Sequence, residues 1–408
     1  MSAVPASTSS GSKSVALAQL ALAIGGLILG MGEFTTMGLL PDIANAVSVS
    51  VPEAGNFISA CALGVVVGSP LLAVATTRMD RRRLLMIITM IMFASNAATA
   101  LSSQYWSVSL ARFFAGLPHG AYYGTASIVA ASIVPRELRA QSIGRVMLGL
   151  AAANFIGVPV ATALGQYLGW RATFIAVSLG SAFATLLIWA MVPSVGADPE
   201  TSPARELKGL MRLQVWLTLG TAAIGFGGMF AVYSYITPAI TELARRPESY
   251  VPAYLALWGF GMVLGSQIGS WFTDKWQGGT IVVLLIWNIT FLGLFALTAS
   301  SPIASAATLF FIGIGFGLVP ALQARLMDVA PKAPSLAAAM NHSAFNLSNA
   351  IGAWTGGIAI AAGYGWASTG LVAAGLALLG LLVFIMALVS EKLRTTHDAV
   401  RRLYWSSR

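Results

Sequence analysis

The chain holds one cysteine and three histidines in 408 residues. Cys61 alone excludes an intramolecular disulfide and a thiolate metal cluster. His119, His342 and His397 show no zinc-ligand spacing. Charge is scarce too, since Asp, Glu, Lys and Arg make up 9% of the chain, against about 25% in a soluble domain. No Gly-rich loop ends in Lys-Ser or Lys-Thr, which argues against direct use of ATP. No Ser-His-Asp constellation stands out, so an enzyme is not expected, and no cofactor is called for. What fills the chain instead is apolar: 57% of residues are hydrophobic and the mean hydropathy is +0.79. The expectation is a polytopic all-α membrane protein. The net charge of +9 comes in runs too short and scattered for a nucleic-acid module, and matches the basic loops of membrane proteins.

A spanning helix needs about 20 mostly apolar residues. Twelve such stretches occur, over 15–41, 54–77, 84–103, 105–133, 142–165, 171–192, 213–240, 251–273, 280–300, 303–329, 336–362 and 366–390. Residues 1–14 are polar and expected to be disordered, and the first apolar run is too long for a cleaved signal peptide. Nineteen of the 23 basic residues lie on the face that holds both termini, the exceptions being Arg112, Arg171, Arg245 and Arg246. By the positive-inside rule both termini are cytoplasmic.

The polar connection 193–212 divides the crossings six and six, leaving an N-terminal bundle (15–192), a C-terminal bundle (213–390) and a short basic tail (391–408). A repeat follows the same division. Pro41 answers Pro238, and Gly116 and Gly120 answer Gly313 and Gly317, at an offset of 197. Asn154 and Gly157 answer Asn349 and Gly352 at 195.

Glu33 sits deep in the first apolar run, where a carboxylate is costly and usually faces a water-filled path. It is either a protonatable group on a central cavity or a carboxylate held near the outer interface. At 1.5 Å per residue, Arg112 in the fourth span lies at a similar height, so the two are expected to couple directly or through water. Arg112, His119 and Tyr123 follow helical spacing, and His119 titrates near neutrality as a candidate relay, or else is a packing histidine. Pro118 is expected to distort the helix beside it. Gly64/Gly68 and Gly265/Gly269 are spaced for close helix approach, either between rocking halves or in static packing.

Asn154, Asn346 and Asn349 bond across helices or touch a solute. Phe230 and Tyr233 belong to an aromatic stripe (Phe226, Met229, Phe230, Tyr233, Tyr235) that lines a cavity or packs helices. At the basic face, Asp80 with Arg81–Arg83, Asp274 with Lys275, and Arg325 with Asp328 are candidates for ion pairs that latch the halves, or are solvated topology signals.

These stretches resemble a known family. EFTTMGLLPDIA from Glu33, ALGVVVGSPLLA from Ala62 and ARFFAGLPHGAYYG from Ala111 look like the major facilitator superfamily, as do ANFIGVPVATALGQ from Ala153, FGMVLGSQIGSWFTDK from Phe260 and FNLSNAIGAWTGG from Phe345. Within it, the chain is most similar to the twelve-helix drug:proton antiporters of arabinose-efflux-permease type. The resemblance implies the major facilitator fold of two six-helix pseudo-repeats, with substrate bound between them. It implies a bacterial inner-membrane exporter of a drug, sugar or related metabolite, driven by the proton gradient and by default a monomer. Uptake by uniport or proton symport, and a non-transporting sensor on the same scaffold, are the alternatives.

By position, Arg112 with Gly116 and Gly120 resembles the fourth-helix proton-coupling motif, and Gly157 with Pro159 the fifth-helix antiporter motif. Gly68 with Asp80 and Arg81, and Gly269 with Asp274 and Lys275, resemble the gating loop motif. Glu33 resembles the first-helix acidic position. The sequence departs from the pattern at Leu72, where the loop motif has aspartate, at Val158 before the proline, and at Ala161 in place of glycine.

Overall fold

The computed structural model describes residues 9–76, 78–135, 138–196, 211–330 and 334–406. Among these residues every regular element is helical. The first half begins with α1 (Ser9–Gly38), so its helix already starts inside the segment expected to be disordered. A short α2 (Leu40–Ala46) follows the break at Leu39. α3 (Val51–Ala75) opens on a capping box: the Ser50 hydroxyl accepts from the Glu53 N–H and the Glu53 carboxylate accepts from the Ser50 N–H. α4 (Arg81–Leu101) is capped by Asp80, whose carboxylate accepts the Arg83 N–H at 3.0 Å.

The fourth crossing is two helices, α5 (Tyr105–Gly116) and α6 (His119–Ser132), broken at Leu117 and Pro118. Proline lacks the N–H that would continue the ladder and its ring crowds the preceding turn. α7 (Arg139–Ala152) passes through a wide π turn at Ala153–Gly157 into α8 (Val158–Leu168), which carries Pro159 in its first turn. Gly169, at φ 87°, turns the chain into α9 (Trp170–Met191). A side chain there would be strained, which is why glycine stands at that bend.

The second half is more broken. α10 (Leu213–Gly220) and α11 (Gly227–Tyr233) are separated by a wide turn at Thr221–Gly225, and a second wide turn follows at Ala239–Leu243. The eighth and ninth crossings, expected as separate spans, run together as α12 (Val251–Thr298) with one non-helical residue, Trp276 (φ −154°, ψ 67°). A straight helix of that length would reach roughly 70 Å, more than twice the hydrocarbon core, so the bend at Trp276 turns it into two crossings. α13 (Pro302–Ile314) and α14 (Leu318–Val329) flank a tight turn at Gly315–Gly317. α15 (Pro334–Ala359) and α16 (Ser368–Ser406) complete the chain, and α16 continues into the expected tail.

Among the described residues nine helical stretches are long and apolar enough to cross a membrane. One of them is the double crossing Glu248–Thr298. The proline-broken α5–α6 pair and the Asn- and Ser-bearing α15 fall outside that set and supply the remaining crossings.

Within the first half α4 packs on α9, α3 on α5, and α1 on α7 and α9; within the second, α12 packs on α13 and α16, and α11 on α15 and α16. The halves meet along two seams, α3 against α15, and α8 with its preceding wide turn against the first part of α12. The connection at 197–210, together with Arg136 and Lys332, lies outside the described residues.

Candidate functional site

The paired glycines of α1 make room for the break in the fourth crossing. A side chain at Gly25 would collide with the Tyr122 phenol, which instead donates to the Leu22 carbonyl at 2.7 Å. One residue on, Tyr123 donates to the Gly26 carbonyl at 2.9 Å. These bonds lock α6 onto α1 and bring His119, the first residue of α6, opposite Glu33. Their side chains approach at 3.6 Å, Nε2 to Oε2, and both are buried. That separation is beyond a hydrogen bond. It becomes an ion pair when the imidazole is protonated.

Arg112 lies beside this pair and is 1% exposed. It does not close on Glu33: among the described residues no ion pair joins the two. Its Nη2 donates to the Gly32 carbonyl at 2.8 Å and to Cys61 Sγ at 3.2 Å, and its guanidinium lies 5.4 Å from the centre of the Phe174 ring. Of the two couplings expected, direct or through water, the direct one is not made: Arg112 is tied to the backbone next to Glu33, which feels its charge through space. Burying an arginine without compensating charge is expensive, and Glu33 is the nearby carboxylate whose charge it meets.

On one side of this triad the two halves part around a cavity of about 550 Å³. It lies toward the end that carries the chain termini, reaching Ile143 near the start of α7 and Met327 near the end of α14. Tyr123 and Asn154, both named from the sequence, line it. So do Gln323, Asn341 and His342, which the sequence reading did not single out as cavity residues. Their signal was present as polar side chains in apolar helices. The lining otherwise consists of glycine, serine, proline, methionine, aliphatic and aromatic residues, with no Asp, Glu, Lys or Arg among the described residues.

On the other side the halves are closed. Phe34 stacks on Phe230 (6.3 Å between centres, 2° between planes) and meets Tyr233 edge-on, while Tyr233 packs on Trp258 at 4.9 Å. Phe230 and Tyr233 sit in this plug and line a small pocket of about 10 Å³ that shares Asn154, Met262 and Phe316 with the larger cavity. Asn346 and Asn349 are buried in α15 with their carbonyl oxygens unpartnered, and neither is on that wall. Beyond the plug, hydrogen bonds cross between halves. Gln166 donates to the Glu248 carbonyl at 2.9 Å, Thr237 to the Gly38 carbonyl at 2.8 Å and Ser59 to the Ala350 carbonyl at 3.3 Å. Asp42 and Glu248 add a carboxyl–carboxyl contact.

The glycine pairs Gly64/Gly68 and Gly265/Gly269 make close approaches inside their own halves. A side chain at Gly68 would strike the Leu117 backbone, one at Gly116 the Cys61 carbonyl, and one at Gly269 the Gly317 backbone. These are contacts of the second crossing with the fourth, and of the eighth with the tenth. Gly157 faces Met31 of α1 and Pro159 starts α8.

Among the described residues no ion pair joins the halves at the terminal face. Asp80 accepts from Ser194 at 2.5 Å, and the Arg81 N–H donates to the Val195 carbonyl at 2.9 Å, both inside the first half. Lys275 lies 3.5 Å over the Trp271 ring beside Asp274, while Asp328 takes a hydrogen bond from Gln277 at 2.7 Å. Arg325 pairs with Glu391 at 2.5 Å and reaches Gln214 at 3.4 Å, all inside the second half. The cavity separates the halves at this end, and the contacts named here each stay within one half.

The family model described as Major Facilitator Superfamily matches residues 22–335. The inner membrane transport protein YdhP of Escherichia coli (strain K12) is 38% identical over 372 residues, covering 90% of this chain and 95% of that protein. A chloramphenicol resistance protein of Streptomyces lividans is 29% identical, over 81% of this chain and 86% of that protein. Among solved structures, a variant of the nucleoside transporter NupG superposes with a TM-score of 0.73 at 11% identity, covering 91% of this chain and 99% of that one.

Proposed function

The chain belongs to the major facilitator superfamily, and from that premise we propose that it exports a small uncharged solute across the bacterial inner membrane in exchange for protons. The observation that carries this reading is the position of Glu33, His119 and Arg112. They lie between a cavity open toward one face and the aromatic plug that closes the other. The basic residues of the terminal face make that face cytoplasmic by the positive-inside rule. The cavity is then the inward-facing one, and the solute enters it from the cytoplasm.

A wall whose described residues include no Asp, Glu, Lys or Arg suits a neutral, partly apolar solute better than a polyhydroxylated sugar, which would leave many hydroxyls unpaired. This accords with the chloramphenicol resistance named for the Streptomyces lividans relative. The proton site and the solute site are separate but share α6, since His119 meets Glu33 while Tyr123 lines the cavity. Protonation from the outside would remove the Glu33 charge, loosen its hold on His119 and Arg112, and let the halves rock. Secondary transport of this kind needs only the proton gradient.

The test is solute-induced pH change in everted vesicles, with chloramphenicol, sugars, nucleosides and amino acids supplied in turn. An exported solute should release protons from wild-type vesicles, and Glu33→Gln should abolish that release. Solute movement with no proton movement would replace antiport by uniport. Proton release at the wild-type rate in Glu33→Gln would remove Glu33 from the coupling.

A further inference from the structure

The cavity wall carries a cluster that the proton site does not use. Tyr123 of α6 and His342 of α15 come from opposite halves and stack across the seam, with centres 5.6 Å apart and planes 10° from parallel. The Tyr123 ring is held in place by its phenol bond to Gly26. Beside His342, Asn341 donates its amide hydrogen to Gln323, and its Oδ1 has no partner. From the other half, Asn154 donates to the Leu150 carbonyl at 3.0 Å, and its Oδ1 is likewise unpartnered. Both asparagines line the cavity, and they are 3% and 4% exposed. Buried acceptors without donors are costly to the fold, and a ligand N–H or O–H would satisfy them. Each half thus offers one ring and one free acceptor.

We propose that Tyr123, His342, Asn154 and Asn341 form a subsite for a flat aromatic ring bearing N–H or O–H donors, the ring packing on the Tyr123–His342 pair and the donors reaching the two asparagines. This rests on the transport reading and narrows its solute class. A ligand held this way bridges the halves, so its binding and the relative position of the halves are linked. Aliphatic solutes of equal size lose the ring contact, and aromatic solutes without donors leave the acceptors unpaired.

The experiment uses the full-length protein in lipid nanodiscs and equilibrium dialysis with three probes: naphthalene-2-carboxamide, its fully saturated analogue, and its N,N-dimethyl derivative. The first should bind about 3- to 10-fold more tightly than either of the others, the range given by one aromatic contact or one hydrogen bond. His342→Leu should erase the preference over the saturated probe, and His342→Phe should restore it. Asn154→Ala should erase the preference over the dimethyl probe. Equal binding of the three, no saturable binding of the first, or an unchanged ring preference in His342→Leu would overturn the subsite. Because dialysis needs no gradient, selective binding without flux in vesicles would reject transport and keep the subsite. Flux of the panel without ring preference would do the reverse.

Discussion

At the scale of single residues, the central fact is that Arg112 and Glu33 are both buried and yet not in contact. Arg112→Met should leave the Gly32 carbonyl and the Glu33 charge uncompensated, a loss of about 3–5 kcal/mol by analogy with broken buried pairs. The double variant with Glu33→Gln should lose less than the sum of the two single changes, since neutralising one partner removes the penalty of stranding the other. Thermal unfolding in nanodiscs reads both.

Asp42, outside the spans, makes a second residue-scale case. Burial pushes its carboxyl above the usual range, against hydrogen bonding to Glu248 and to the backbone. The folded protein therefore holds that proton to higher pH than the unfolded chain does. Stability at this site is full below the ordinary aspartate value and falls as pH rises through the raised folded value. Asp42→Asn removes Asp42's own share of the dependence and leaves that of Glu248, raised first by its own burial. The variant's melting temperature should therefore gain on the wild type as pH is raised from 4, then level off. A constant difference across pH would count against the burial of that charge.

At the scale of elements, glycines divide by which helices they bring together. Gly68 lets α3 lie on the Leu117 backbone inside one half, so Gly68→Val should cost stability, roughly 1–3 kcal/mol for overpacking, without favouring either face. Gly259 of α12 instead abuts the Asn154 carbonyl across the seam. Gly259→Val should prise the halves apart at that seam and raise the accessibility of the far side, read by labelling of a cysteine placed at Phe230. Equal accessibility in the two variants would contradict this division. The fourth crossing shows how an element was half legible in sequence. Pro118 announced a distortion, but that the break sets His119 against Glu33 depends on α1 presenting its glycines to Tyr122 and Tyr123.

At the scale of the molecule, Gln166, Thr237 and Ser59 make their cross-half hydrogen bonds on the far side of the plug, while the Arg325–Glu391 pair of the terminal face stays inside one half. Cysteines replacing Gln166 and Glu248, joined by a short thiol cross-linker, should hold the far side shut. Transport should fall at least about tenfold, binding from the cavity side should persist, and cleavage of the linker should restore flux. The native Cys61 is buried and should not react. Undiminished transport in the cross-linked protein would mean that the far seam does not open.

Apolar run length, the basic asymmetry of the loops and the near-constant repeat offset determined the helical membrane class, the crossings and the two-half layout, because each follows from local composition and spacing. The same composition marked Glu33, Arg112 and His119 as costly intramembrane groups. Which of them touch was decided only by tertiary structure, because partners on different helices depend on helix rotation and on which glycine faces which ring. The same holds for the glycine pairs, whose spacing fixes close approach but not the neighbour approached, and for Arg325, which pairs with Glu391 of its own half and not across the cavity. His342 and Asn341 became cavity residues for that reason too: the seam between two folded bundles exists only once both are packed.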